Sequence, residues 1–184
     1  IMEALAARGV KLSVVEMGDR MVPRMMGPAA GGMIKSWCQK KGVDVHTGAR
    51  VESISREASG VMKVKLSTGQ VLDADLVISA TGVKPNIGFL QTSGVRCLVG
   101  VLTDEHLQTN VPGIYAAGDC AEAFDKVSGQ TIVSAIQPNA AEQARVAALN
   151  MAHRGPTPLA ELKGVTQINV LDTLGLISAS FGKW

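Results

Sequence analysis

The apolar positions change period several times along the chain, and each change marks an element. Residues 1–8, I-M-E-A-L-A-A-R, are strong helix formers that stop at Gly9. Lys11 to Met17, K-L-S-V-V-E-M, predicts a strand with Glu16 near its end. Pro28 suits the first turn of a helix running to about Lys40. On it Ala30, Met33, Ile34, Trp37 and Cys38 recur at helical spacing, so Cys38 reads as a core thiol rather than a redox centre. Gly42 closes the helix and Val43 to Val45 make a short strand. Between Val51 and Leu72 the period drops to two, with breaks at Ala58-Ser59-Gly60 and Ser67-Thr68-Gly69; this predicts a small antiparallel meander. Leu76 to Ala80 and Ile114 to Ala117 are short apolar runs bounded by turn residues, which predicts buried strands. Ala121 to Gly129 reads as a loop. A second long helix is expected from Gln137 to about Ala152, with Ala140, Ala144, Ala147, Ala148 and Met151 along one face. Gly155-Pro156-Thr157-Pro158 is a linker signal, followed by strands at Leu162 to Leu171 and Leu176 to Phe181.

Composition narrows the function classes. The 184 residues suffice for one or two domains with a real core. With 46% hydrophobic and 18% charged residues, the chain is globular rather than disordered. A net charge of +2, scattered basic residues and 3% aromatics argue against nucleic acid. No apolar run reaches the length of a membrane span, and no signal peptide opens the sequence. Cys38, Cys97 and Cys120 are far apart, with no C-x-x-C pair, which fits a reducing cytoplasm and argues against a zinc or disulfide framework. The chain starts at Ile1 inside a helix-like segment and ends at Trp184 in an apolar run, so both ends read as cut.

Candidate chemistry gathers at strand ends. Gly118 allows backbone to approach a ligand, and Asp119 follows at the carboxyl end of an expected strand, where open α/β sheets bind ligands. A carboxylate there can accept hydrogen bonds from sugar or ribityl hydroxyls, or simply cap a turn. Helix, turn, strand and then Glu16 form the second half of a dinucleotide-binding βαβ unit. In that unit the acid holds the adenosine ribose; otherwise Glu16 is an exposed charge ending a strand. An acid at this place repels a 2′-phosphate and favours NAD(H) over NADP(H), whereas Arg20 and Arg24 nearby could pair with one. The glycines of Gly27 to Gly32 are not a nucleotide fingerprint, because no strand precedes them.

Thr103 to Asp119, T-D-E-H-L-Q-T-N-V-P-G-I-Y-A-A-G-D, resembles the second flavin-binding motif of the FAD-dependent pyridine nucleotide-disulfide oxidoreductases. Asp73 to Asn86, D-A-D-L-V-I-S-A-T-G-V-K-P-N, resembles the strand and loop closing their NAD domain. Gln137 to Ala152 resembles the helix whose N-terminus points at the flavin ring, and Gly164 to Gly182 the start of the interface domain of the NADH oxidase and nitrite reductase-like branch. The resemblance implies an α/β fold with partial doubly wound NAD- and FAD-binding domains, an antiparallel meander and the start of an α+β interface domain. It implies domains at 1–88, 89–154 and 155–184. Glu16 and Gly82 would contact NAD(H), and Gly118, Asp119, Gln137 and Ala140 would contact FAD. The helix N-terminus would stabilise negative charge on the reduced flavin. Cys120 would sit near the flavin as a packing residue. The implied activity is hydride transfer from NAD(P)H to FAD and on to a small-molecule or small redox-protein acceptor, in a homodimer. Both glycine fingerprints and any redox-active cysteine of the family's N-terminal part are missing. No residue here is therefore expected to be catalytic, and a non-catalytic binding or dimerisation module is the alternative. In the doubly wound order an absent strand would lie between Lys11–Met17 and Leu76–Ala80, leaving unpaired edges unless another segment fills the slot.

Overall fold

A computed structural model describes residues 1–125, 128–165 and 168–181. The chain divides into two compact units. One holds Ile1–Ala80 with the C-terminal hairpin, and the other begins at Thr81 and holds the remainder. Helices and strands mix in both, as expected of the α/β class.

In the first unit, α1 (Met2–Ala6) is followed by β1 (Ser13–Glu16), α2 (Pro28–Lys40) and β2 (Asp44–Thr47). β1 and β2 are parallel, with Val14 opposite Val45 and Glu16 opposite Thr47. α2 buries Ile34 and Cys38 against Met21, Met26, Val43 and Val45. Burial pushes the Cys38 thiol up from its ordinary value, so it stays protonated and inert. Gly31 is needed here, because a Cβ would meet the Met21 carbonyl at 2.7 Å. Ile34 is 2% exposed, so Ile34→Ala should cost about 2–5 kcal/mol in urea unfolding. A cost under about 1 kcal/mol would mean the helix is not packed as described.

The meander forms as its alternation demands: β3 (Val51–Arg56), β4 (Met62–Leu66) and β5 (Val71–Ala74) pair antiparallel in that order. Val64 and Leu66 face inward with Ala49, and Val15, Leu72, Ala74 and Val77 pack on them. The strand expected at Leu76 to Ala80 is not formed. Among the described residues no strand lies beside it, and Leu76 and Ile78 remain exposed. Among the described residues β1 likewise pairs with β2 alone.

The C-terminal hairpin consists of strands Ile168–Thr173 and Leu176–Phe181, the last two among the described residues, with Ala179 opposite Val170. Its turn is fixed by Trp37, whose Nε1 donates to the carbonyls of Thr173 at 3.0 Å and Leu174 at 3.2 Å, and by the Leu174 N–H donating to the Glu3 carboxylate. The first strand starts later than expected, since residues 162–165 carry no strand; Leu162 instead enters the core of the second unit.

In the second unit, β6 (Val101–Leu102) runs parallel to β7 (Ala121–Asp125), which pairs antiparallel with β8 (Gln130–Ile132). α3 (Gln137–Ala152) packs Val146 and Ala147 against Leu107, Ala123 and Leu162. Two expectations fail here. Ala121 to Asp125 is a buried strand, not a loop, because the Glu122 carboxylate turns inward and accepts from the N–H groups of Val99 at 2.9 Å and Gly100 at 3.0 Å. Ile114 to Ala117 makes only an isolated bridge through Tyr115 to Gln108. Its outer side meets no second strand among the described residues, so Ile114 is exposed and Tyr115 to Ala117 are half-buried rather than core. No helix among the described residues is long and apolar enough to cross a membrane.

Candidate functional site

The Gly118–Asp119 turn is built from both sides. Ala117 is extended, and Gly118 then adopts φ 81°, a left-handed backbone conformation that a side chain resists. Gly118 to Cys120 makes one 3₁₀ turn, and β7 follows at once. A Cβ on Gly118 would lie 3.5 Å from the Ala140 Cβ, so the turn sits against the first turn of α3. The N–H of the buried Gly118 donates to Gln143 Oε1 at 2.7 Å. The Asp119 side chain is exposed and has no partner among the described residues, leaving its carboxylate free to accept. Cys120 is also exposed rather than packed, its Sγ 3.5 Å from the Ala117 carbonyl.

α3 begins at Gln137 with Pro138 in its first turn, and no side chain caps its N-terminus. Gln137 is exposed and Ala140 half-buried. Helix N-terminal amides without a capping side chain favour an electron-rich ligand. The structure therefore brings together four of the expected site residues, Gly118, Asp119, Gln137 and Ala140.

The buried face of α3 differs from the expected stripe of alanines. It is Asn139, Gln143, Val146, Ala147 and Asn150. Each amide on this face holds a loop. Asn139 donates to Ser134 Oγ at 2.7 Å. Gln143 holds Gly118, and Asn150 Nδ2 donates to the His106 carbonyl at 3.0 Å and the Ala160 carbonyl at 2.8 Å. Sequence reading missed Gln143. The available signal was the recurrence of amides at positions 139, 143 and 150, in helical phase with Val146 and Ala147.

Glu16 lies in the first unit. It ends β1 half-buried, and its Oε1 accepts from the Gly18 N–H at 2.6 Å. Its other carboxylate oxygen has no partner among the described residues. Arg20 is engaged by its own loop: Nε donates to the Met26 carbonyl at 2.8 Å, Nη2 to the Pro23 carbonyl at 3.4 Å, and Nη1 pairs with Asp19 at 2.7 Å. Gly82 is exposed at φ 105°, in the loop opening the second unit.

Residues 2–148 match the family model described as pyridine nucleotide-disulphide oxidoreductase. The chain belongs to this family. It is 33% identical over 180 residues to subunit epsilon of the NADH-dependent phenylglyoxylate dehydrogenase of Aromatoleum evansii, covering 98% of this chain and 42% of that protein. It is 33% identical over 151 residues to an NADH oxidase of Methanocaldococcus jannaschii, covering 80% of this chain and 33% of that protein. Among solved structures, an NAD-dependent persulfide reductase from A. fulgidus superposes with a TM-score of 0.89 at 30% identity, over 98% of this chain and 33% of that one. The chain thus spans less than half the length of these relatives.

Proposed function

We propose that the chain is part of a flavoprotein oxidoreductase that takes hydride from NADH and hands electrons to a small-molecule or small redox-protein acceptor. The observation carrying this reading is the unpartnered Asp119 carboxylate on a positive-φ glycine turn, set against the uncapped start of α3. These residues fit FAD. Asp119 would accept from ribityl hydroxyls, Gly118 would admit the ligand without a side chain, and the helix start at Gln137 and Ala140 would face the electron-rich edge of the ring. When bound, FAD supplies the hydride and electron chemistry; the chain's residues position it and tune its charge.

Glu16, with one oxygen free, suits the two hydroxyls of an adenosine ribose, and Gly82 allows backbone to approach the nicotinamide half. Arg20 is engaged by its own loop, which supports NAD(H) over NADP(H), whereas the exposed Arg24 stays available to a 2′-phosphate. Domains at 1–88, 89–154 and 155–184 belong to this proposal. So does a homodimer, supported by the exposed apolar face of the C-terminal hairpin, with Ile168, Val170, Ile177 and Phe181 outward. A cytoplasmic setting is supported by three free cysteines.

Natively purified intact protein should absorb near 450 nm, roughly where flavins do, and bleach on adding NADH. Colourless protein that takes up no FAD would contradict this and favour a binding or dimerisation module. Glu16→Ala should raise KM for NADH about tenfold, one charge-assisted hydrogen bond's worth, with kcat little changed. An unchanged KM would remove Glu16 from the nucleotide site.

A further inference from the structure

We propose that Gln143 is the positioning residue of the Gly118–Asp119 turn, aiming the Asp119 carboxylate at the flavin's ribityl chain. This rests on the flavin reading of the site. Gln143 lies nearly two turns into α3 and is 0% exposed, so it can touch no solvent and act only through a neighbour. That neighbour is Gly118. The bond from the Gly118 N–H to Oε1 is 2.7 Å, and it falls on the residue whose φ of 81° decides where the next side chain points. The amide's orientation is determined by the donor it faces, since only its oxygen can accept from an N–H. The other end, Nε2, is buried with no partner among the described residues.

A side chain retained only for packing would not need an amide that leaves one end unsatisfied. The polar function of Gln143 is therefore concentrated in one acceptor atom on one backbone amide. That amide belongs to a glycine, which has the widest range of φ of any residue and most needs an external constraint. Asp119 has no partner of its own among the described residues to hold it. Its aim comes from the backbone, and the backbone is held from α3.

The test uses the intact protein, stripped of flavin and titrated with FAD. Gln143→Met keeps the shape and removes the acceptor. Gln143→Met should weaken FAD binding about tenfold, roughly one hydrogen bond. Should Gln143→Met fail to fold, Gln143→Asn withdraws the amide by one methylene and serves the same comparison. The readout that packing alone would not move is a double-mutant cycle with Asp119→Ala. If Gln143 acts through Asp119, the double variant binds FAD no more weakly than Asp119→Ala alone. Additive losses would overturn the proposal. So would an unaffected Gln143→Met beside a weakened Asp119→Ala, leaving the flavin reading intact. An Asp119→Ala variant that binds FAD normally would overturn the flavin reading itself.

Discussion

Asp119→Ala in the intact protein should lower FAD affinity about 30- to 100-fold, while the flavin-free protein melts close to wild type. The size follows from the chemistry. A carboxylate accepting from neutral hydroxyls makes hydrogen bonds of about 1.5–3 kcal/mol, roughly twice the neutral value. The selectivity follows from the surroundings. The side chain is exposed and has no partner among the described residues, so deleting it leaves no buried group unsatisfied. Gly118 should behave differently. A β-branched side chain at φ 81° is strained, and it would also press toward Ala140, so Gly118→Val loses stability together with flavin. A fall in melting temperature for Asp119→Ala as large as for Gly118→Val would show that Asp119 holds the fold rather than a ligand.

Ile78→Asp should have opposite effects in two settings. In the 184-residue polypeptide Ile78 is 46% exposed and residues 76–80 pair with no strand among the described residues, so a charge there costs little and improves solubility. In the intact protein a parallel strand is expected between this segment and the free edge of β1. The side chain would then lie in a sheet covered on both faces. An unpaired charge in such a place costs about 3 kcal/mol or more. The intact variant should therefore be insoluble or strongly destabilised, as thermal melts and yields would record. Equal stability of wild type and variant in the intact protein would mean that the edge stays open.

The same segment explains what the sequence could and could not convey. An apolar run such as L-V-I-S-A records burial in a sheet but not which strand supplies its hydrogen bonds, so it reads as a strand even where no ladder forms. Ile114 to Ala117 behaves alike, reduced to one bridge at Tyr115. The converse error occurs at Ala121 to Asp125. Glu122 and Asp125 look like loop residues, yet Glu122 is 6% exposed and satisfies two backbone amides. Asp125 is similarly buried, accepting from the N–H groups of Ser128 and Val165. Ser128 is local to Asp125, but Val99, Gly100 and Val165 lie 22 to 40 residues from the carboxylates they meet, and such distant partners leave no local trace. The meander and α2 were legible because period-two and helical patterns are set by one face packing on a core, which needs no distant partner to be recognised.

At the candidate site, Gly118 and Asp119 were legible as a turn residue and a carboxylate at the end of an apolar run. The helix after Gln137 was legible from its composition and its proline. Its inward face was not, because small alanines formed the more obvious stripe. Asn139 finds Ser134 five residues upstream, whereas Gln143 and Asn150 reach Gly118 and His106, 25 and 44 residues away in the chain.

The most direct measurement is a crystal structure of the intact protein with FAD bound. The account requires an Asp119 carboxylate oxygen within hydrogen-bond distance, about 3 Å, of a ribityl hydroxyl, with the start of α3 facing the isoalloxazine. A flavin lying elsewhere, with Asp119 turned to solvent and side chains filling the space beside Gly118, would contradict it.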